Sequence, residues 1–102
     1  MSVIKVTKDN LESIKNNGLP VLLDFYADWC GPCRMVSPII DEIAEERMDI
    51  AVGKINVDKE SELAKEFRVF SIPTLVVLRG GKIVNQASGA RTKAQILEML
   101  ES

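Results

Sequence analysis

The sequence has no histidine and only two cysteines, and each shortage removes a class of chemistry. Without histidine, titration between about pH 6 and 9 falls mainly to Cys30, Cys33, Asp24 and the α-amino group. A closed tetrahedral zinc site needs four ligands, a number that two cysteines without histidine reach only in a site shared between chains, so neither a metal nor a cofactor is expected. Also missing is any stretch near the roughly 18 uninterrupted apolar residues of a membrane span. The opening residues Met1-Ser2-Val3-Ile4-Lys5-Val6-Thr7-Lys8 lack the apolar centre of a signal peptide. The chain is therefore expected in the cytoplasm, where a cycling disulfide is at home and a permanent one is disfavoured. There is no excess of positive charge either: the net charge is −2, so nucleic acid is not an expected partner, and neither is a membrane. With 102 residues, there is room for one core and one domain, residues 1–102, expected to act as a monomer.

What the chain does have is Trp29-Cys30-Gly31-Pro32-Cys33-Arg34, which holds both cysteines. Two thiols at this spacing are half of a metal site, a structural staple or a redox pair. The ligand count opposes the first. The second is weak on energy, because closing a loop of about four residues removes only roughly 2 kcal/mol of unfolded-chain entropy. The redox reading fits the surroundings: an apolar run ends near Ala27 and a helical pattern begins near Cys33, which places Cys30 at a helix N-terminus. Unpaired N–H groups and the helix dipole stabilise a thiolate there, marking Cys30 as the nucleophile. Cys33, one turn further on the same face, is placed to resolve a mixed disulfide. Gly31 permits close approach of another backbone, and Pro32 in the first turn gives up only an N–H that would have had no partner.

Along the chain, Val3 to Val6 reads as a short strand, and Thr7 as the cap of a helix that turns Leu11 and Ile14 inward and stops at Asn16-Asn17-Gly18. Val21 to Ala27 is a near-continuous apolar run, suited to a strand buried on both faces. Asp24 interrupts it. An ionised carboxylate there costs several kcal/mol, so Asp24 must find a partner or hold its proton to unusually high pH. Val36, Ile39, Ile40 and Ile43 give the next helix an apolar face as far as Arg47, with Pro38 inside it. Lys54 is the one cation in the strand from Ile50 to Val57; it faces solvent, or approaches Asp24 if the two strands are neighbours. Asp58 reads as the cap of a helix bearing Leu63, Ala64 and Phe67. A strand from Thr74 to Leu78 turns at Gly80-Gly81 into one from Lys82 to Ala87, and Thr92-Lys93-Ala94-Gln95 is a capping box opening a last helix with Ile96, Leu97 and Leu100. The order of elements is β-α-β-α-β-α-β-β-α, an α/β arrangement with helices for both faces of one sheet.

Trp29-Cys30-Gly31-Pro32-Cys33, with Asp24-Phe25-Tyr26-Ala27 before it and Ser71-Ile72-Pro73-Thr74 after it, resembles the thioredoxin family, and the match in element order covers the whole chain. The resemblance implies the thioredoxin fold, a central five-stranded mixed sheet in the order 1-3-2-4-5 flanked by four helices. It implies Cys30 exposed at the tip of the second helix and a cis peptide bond before Pro73. The implied activity is general protein-disulfide reduction by a Cys30/Cys33 dithiol–disulfide pair, with Asp24, through a water and with Lys54 nearby, taking the proton from Cys33. Disulfide-containing proteins would dock on Trp29, Gly31, Pro32, Ile72, Pro73, Gly89 and Ala90, the backbone at Ile72 pairing with an extended segment. A thioredoxin reductase or equivalent donor, a flavoprotein or an iron–sulfur enzyme, would restore the dithiol. Two alternatives stand beside this: a glutaredoxin-like enzyme using glutathione, which the Gly-Pro between the cysteines resembles less, and a non-enzymatic subunit of a larger assembly. The chain departs from the family pattern at Tyr26, Asp28 and Phe70; Phe70 either enlarges the docking surface or turns inward as core.

Overall fold

In the computed structural model, which describes residues 3–101, the apolar run after Pro20 is β2 (Val21–Tyr26), the central strand of the sheet. It pairs parallel with β3 (Ala51–Asn56) on one side and antiparallel with β4 (Thr74–Arg79) on the other. Helices cover both faces, so β2 has no solvent side to call for polar residues. β1 (Ile4–Lys5) adds in parallel to β3, and β5 (Lys82–Ser88) antiparallel to β4, giving the expected order β1-β3-β2-β4-β5. Gly80 and Gly81 close the β4–β5 turn with φ of 59° and 77°, values that a residue with a Cβ rarely adopts.

The four helices are α1 (Leu11–Lys15), α2 (Gly31–Glu46), α3 (Ser61–Glu66) and α4 (Lys93–Leu100). None, among the described residues, is long and apolar enough to cross a membrane. Strand parity decides which core each side chain enters. Val21, Leu23 and Phe25 point to the face covered by α1 and α3, where Phe25 meets the ring of Phe67 at 5.3 Å. Leu22 and Val52 point to the other face, against Val36, Ile40 and Ile43 of α2 and Ile96 and Leu100 of α4. Asp24 and Lys54 have the parity of this second set, so the sheet carries both of them under α2.

Two helix starts differ from the sequence expectation. The N-cap of α1 is Asn10, not Thr7; the Thr7 hydroxyl accepts from the Asp9 N–H at 3.2 Å while its own N–H donates to Asn10 Oδ1 at 2.8 Å, a local turn that delays the helix. The N-cap of α3 is Glu60, not Asp58, because Asn56 Oδ1 takes the Asp58 N–H at 2.9 Å and holds a turn ahead of the helix. The N-cap of α2 is Cys30 with Pro32 in the first turn, as expected, and the helix runs unbroken through Pro38. The capping box of α4 is formed as expected: Thr92 Oγ1 accepts from the Gln95 N–H at 3.2 Å and the Gln95 side chain accepts from the Thr92 N–H at 2.9 Å. Lys93, next along, binds Glu42 and Glu46 and ties α4 to α2.

Candidate functional site

The end of β2 delivers the chain into α2 through Ala27, Asp28 and Trp29, and the N-cap of that helix is Cys30. Its φ and ψ of −88° and 111° are those of an N-cap, and its Sγ accepts from the Cys33 N–H at 3.2 Å. An N–H aimed at sulfur favours negative charge there, so the helix start treats the two cysteines unequally. They are joined as a disulfide, with Cα atoms 5.3 Å apart. Cys30 is not exposed as the family resemblance implies: only 4% of its surface is free, because Ala27, Tyr26, Val57 and Ile72 pack around the sulfur pair. What reaches solvent is the rim formed by Trp29, Gly31 and Pro32.

Asp24 of β2 is fully buried, with neither carboxylate oxygen hydrogen-bonded to any described residue. Burial pushes its pKa up to about 7, with the Lys54 charge pulling down and the Asp41 charge pushing further up. Lys54 does approach it: the two are partners in the β2–β3 register and lie on the same face. The Lys54 ammonium donates to Ser37 Oγ of α2 and stands 5.1 Å from the centre of the Tyr26 ring. A groove of about 250 Å³ opens from this cluster to solvent, lined by Tyr26, Asp28, Cys33, Arg34, Ser37 and Lys54. It is large enough for water to reach the Cys33 side of the pair.

The Ile72–Pro73 peptide bond is cis. Ile72 is half-buried against the cysteines, and Pro73 is buried, so of that pair only Ile72 offers side-chain surface. Among the described residues, no hydrogen bond engages the backbone N–H or C=O of Ile72. The Gly89 N–H donates to the Pro73 carbonyl at 2.8 Å, which sets exposed Gly89 and Ala90 beside this loop. Phe70 is 92% exposed, which excludes its inward alternative.

Two residues of the site were not legible in the sequence as site residues. Asp58, which reads as a helix cap, accepts the Trp29 indole N–H at 2.8 Å and so holds a ring that is otherwise 68% exposed. Ser37 carries no motif at all. Its one signal is a polar residue four positions after Cys33, on the cysteine face of an amphipathic helix.

Over residues 2–102 the chain matches the family model described as Thioredoxin. It is 48% identical over 102 residues to a thioredoxin of Pyropia yezoensis, covering 98% of this chain and 95% of that one. With a thioredoxin of Mycobacterium bovis it shares 45% over 101 residues, 97% of this chain and 87% of the other. Against a bifunctional thioredoxin reductase/thioredoxin of Mycobacterium leprae it shares 47% over 88 residues, 85% of this chain and 19% of that longer one. A solved structure of a mutant thioredoxin from Halobacterium salinarum superposes with a TM-score of 0.92 at 36% identity, covering 98% of this chain and 88% of that one.

Proposed function

The chain belongs to the thioredoxin family, and we propose how its residues divide the work of reducing a protein disulfide. The chain is a thiol–disulfide oxidoreductase of the protein-disulfide reductase type. In the reduced form the Cys30 thiolate attacks one sulfur of the substrate disulfide; that bond breaks, one substrate thiolate leaves, and a mixed disulfide joins Cys30 to the substrate. Cys33 then passes its proton to the Asp24 carboxylate through the water of the adjoining groove, and its thiolate attacks the Cys30 sulfur. The mixed disulfide breaks, the second substrate thiolate leaves, and two electrons have moved to the substrate.

The observation that carries this assignment is the unequal placement of the sulfurs, Cys30 at the helix N-cap facing the Cys33 N–H and Cys33 lining a groove together with Lys54, the register partner of Asp24. Lys54 supports the anionic form of Asp24. The unengaged backbone of Ile72 supports docking of an extended segment by strand-like pairing, between a rim of Trp29, Gly31 and Pro32 and the Gly89-Ala90 loop, with Pro73 shaping the loop from beneath.

The donor we propose is a thioredoxin reductase, supported by the Mycobacterium leprae relative, whose name joins the two activities in one protein. Residues 1–102 act as a single, monomeric domain in the cytoplasm, where a pair that must return to the dithiol is kept reduced. The test is turnover of a disulfide-bonded protein with purified reductases. Regeneration by a flavoprotein reductase supports the proposal; regeneration only by an iron–sulfur donor, or only by glutathione, removes the proposed partner.

A further inference from the structure

Asp24 and Lys54 are adjacent in register, but adjacency alone does not place the charge, because a lysine ammonium travels on a flexible four-carbon stem. Two contacts from two different elements place it: the Ser37 hydroxyl on α2 and the face of Tyr26 on β2. Ser37 is its one hydrogen-bond acceptor among the described residues, and no carboxylate pairs with it there. We propose that Ser37 is a positioning residue, whose hydroxyl holds the Lys54 ammonium beside buried Asp24 and so governs how readily that carboxyl gives up its proton.

The other groups around Asp24 leave this task to Lys54. Among the described residues, no hydrogen bond stabilises its carboxylate. From α2, Asp41 opposes the negative charge, while the Cys33 sulfur is held in the disulfide; from β4 its register partner is the apolar Leu75; on its own strand, Tyr26 has its ring against the Lys54 ammonium. The favourable field at Asp24 therefore comes from one ammonium, and in a desolvated setting that field weakens as the charge moves away. With the hydroxyl gone, the ammonium loses its half-buried acceptor, and the open groove offers it water further from Asp24. Ser37 also lies one turn beyond Cys33, so the residue that places Lys54 is on the helix that carries the thiol awaiting deprotonation. The catalytic consequence rests on the reading of Asp24 as proton acceptor; the placement of charge does not.

The experiment follows the 13C carboxyl shift of Asp24 against pH in the oxidised protein, where the cysteines do not titrate. Ser37→Ala should move the midpoint upward by about 0.5 pH unit, a roughly threefold change in proton affinity, and Ser37→Thr should return most of it. In a Lys54→Met background, adding Ser37→Ala should produce no further shift. An unchanged midpoint in Ser37→Ala overturns the proposal, as does a lowered one, which would show Ser37 holding Lys54 away from Asp24. An equal shift with and without Lys54 overturns it as well, because the effect would not pass through the ammonium. The pH profile of mixed-disulfide resolution by the reduced variants separates this from the mechanism: a moved midpoint with an unmoved profile supports the Ser37–Lys54–Asp24 linkage and removes Asp24 from the proton transfer.

Discussion

Asp24 and Lys54 are register partners on one face of adjoining parallel strands, yet no hydrogen bond or ion pair joins them among the described residues. The ammonium is engaged by Ser37 and Tyr26, and the carboxyl is left in the core with its pKa pushed up to about 7. A group raised above its unfolded value, near 4, stabilises the fold fully below that value and loses its contribution as pH rises through the folded pKa.

The oxidised wild type should therefore lose stability between about pH 4 and 7 and level off above. Asp24→Asn should flatten that window and be more stable at pH 8 by about 2 kcal/mol. The full pKa difference corresponds to roughly 4 kcal/mol, but a buried amide without partners has its own cost. Denaturant unfolding of both proteins at pH 5, 6, 7 and 8 checks this. Parallel profiles would mean that Asp24 does not titrate in this window and would withdraw its role as proton acceptor.

Cys30→Ser should abolish reduction of protein disulfides, whereas Cys33→Ser should still attack and accumulate a covalent adduct with its substrate. Mass spectrometry of each variant after incubation with an oxidised protein reads the adduct directly. Adducts on Cys30→Ser and none on Cys33→Ser would reverse the two roles.

Trp29 is the only tryptophan, so its fluorescence reports the indole bond to Asp58. Asp58→Ala should alter the emission and cost about 1 kcal/mol of stability or less, since the bond is exposed. It should raise KM for protein disulfides severalfold while leaving the rate with a small soluble disulfide unchanged. Equal losses with both substrates would place the defect in the sulfur chemistry and not in docking.

Phe70→Ser removes a ring that is 92% exposed, so stability should change by no more than about 0.5 kcal/mol. If Phe70 extends the docking rim, KM should rise most for substrates with apolar residues beside the disulfide. A KM that stays constant across such a substrate series would remove Phe70 from the docking surface.

Gly53 lies in β3 opposite both Ile4 and Leu23, and a Cβ built there would stand 2.4 Å from a methyl of Val6 and 3.3 Å from one of Leu23. Val6 is buried and stiff at χ1, so it cannot yield without shifting β1. Gly53→Ala should cost about 1–3 kcal/mol in denaturant unfolding. A neutral effect would show that the β1 edge moves freely.

The elements legible in the sequence are those whose cause is local. The β4–β5 hairpin follows from Gly80-Gly81, the α4 start from Thr92 and Gln95, and the central place of β2 from a run of apolar residues that no half-exposed strand would carry. The caps assigned to Thr7 and Asp58 failed for an equally local reason. In both places a side-chain oxygen three or fewer residues away, from Asn10 or Asn56, captures the N–H and makes a turn before the helix.

By itself the sequence determined which chemistry is available: two thiols at a helix start, one carboxylate in an apolar run, one lysine in the strand from Ile50 to Val57 and no histidine. Those follow from residue identity and from spacings of a few positions. Only the tertiary structure decided the partners, namely Lys54 with Ser37, Trp29 with Asp58, and Cys30 sealed by Tyr26, Val57 and Ile72 instead of standing in solvent. The physical reason is that such contacts join residues brought together by strand pairing and helix packing. Which side chain meets which depends on the sheet order and register, and a one-residue change in either would have sent Lys54 to the opposite face, away from Asp24 and the cysteines.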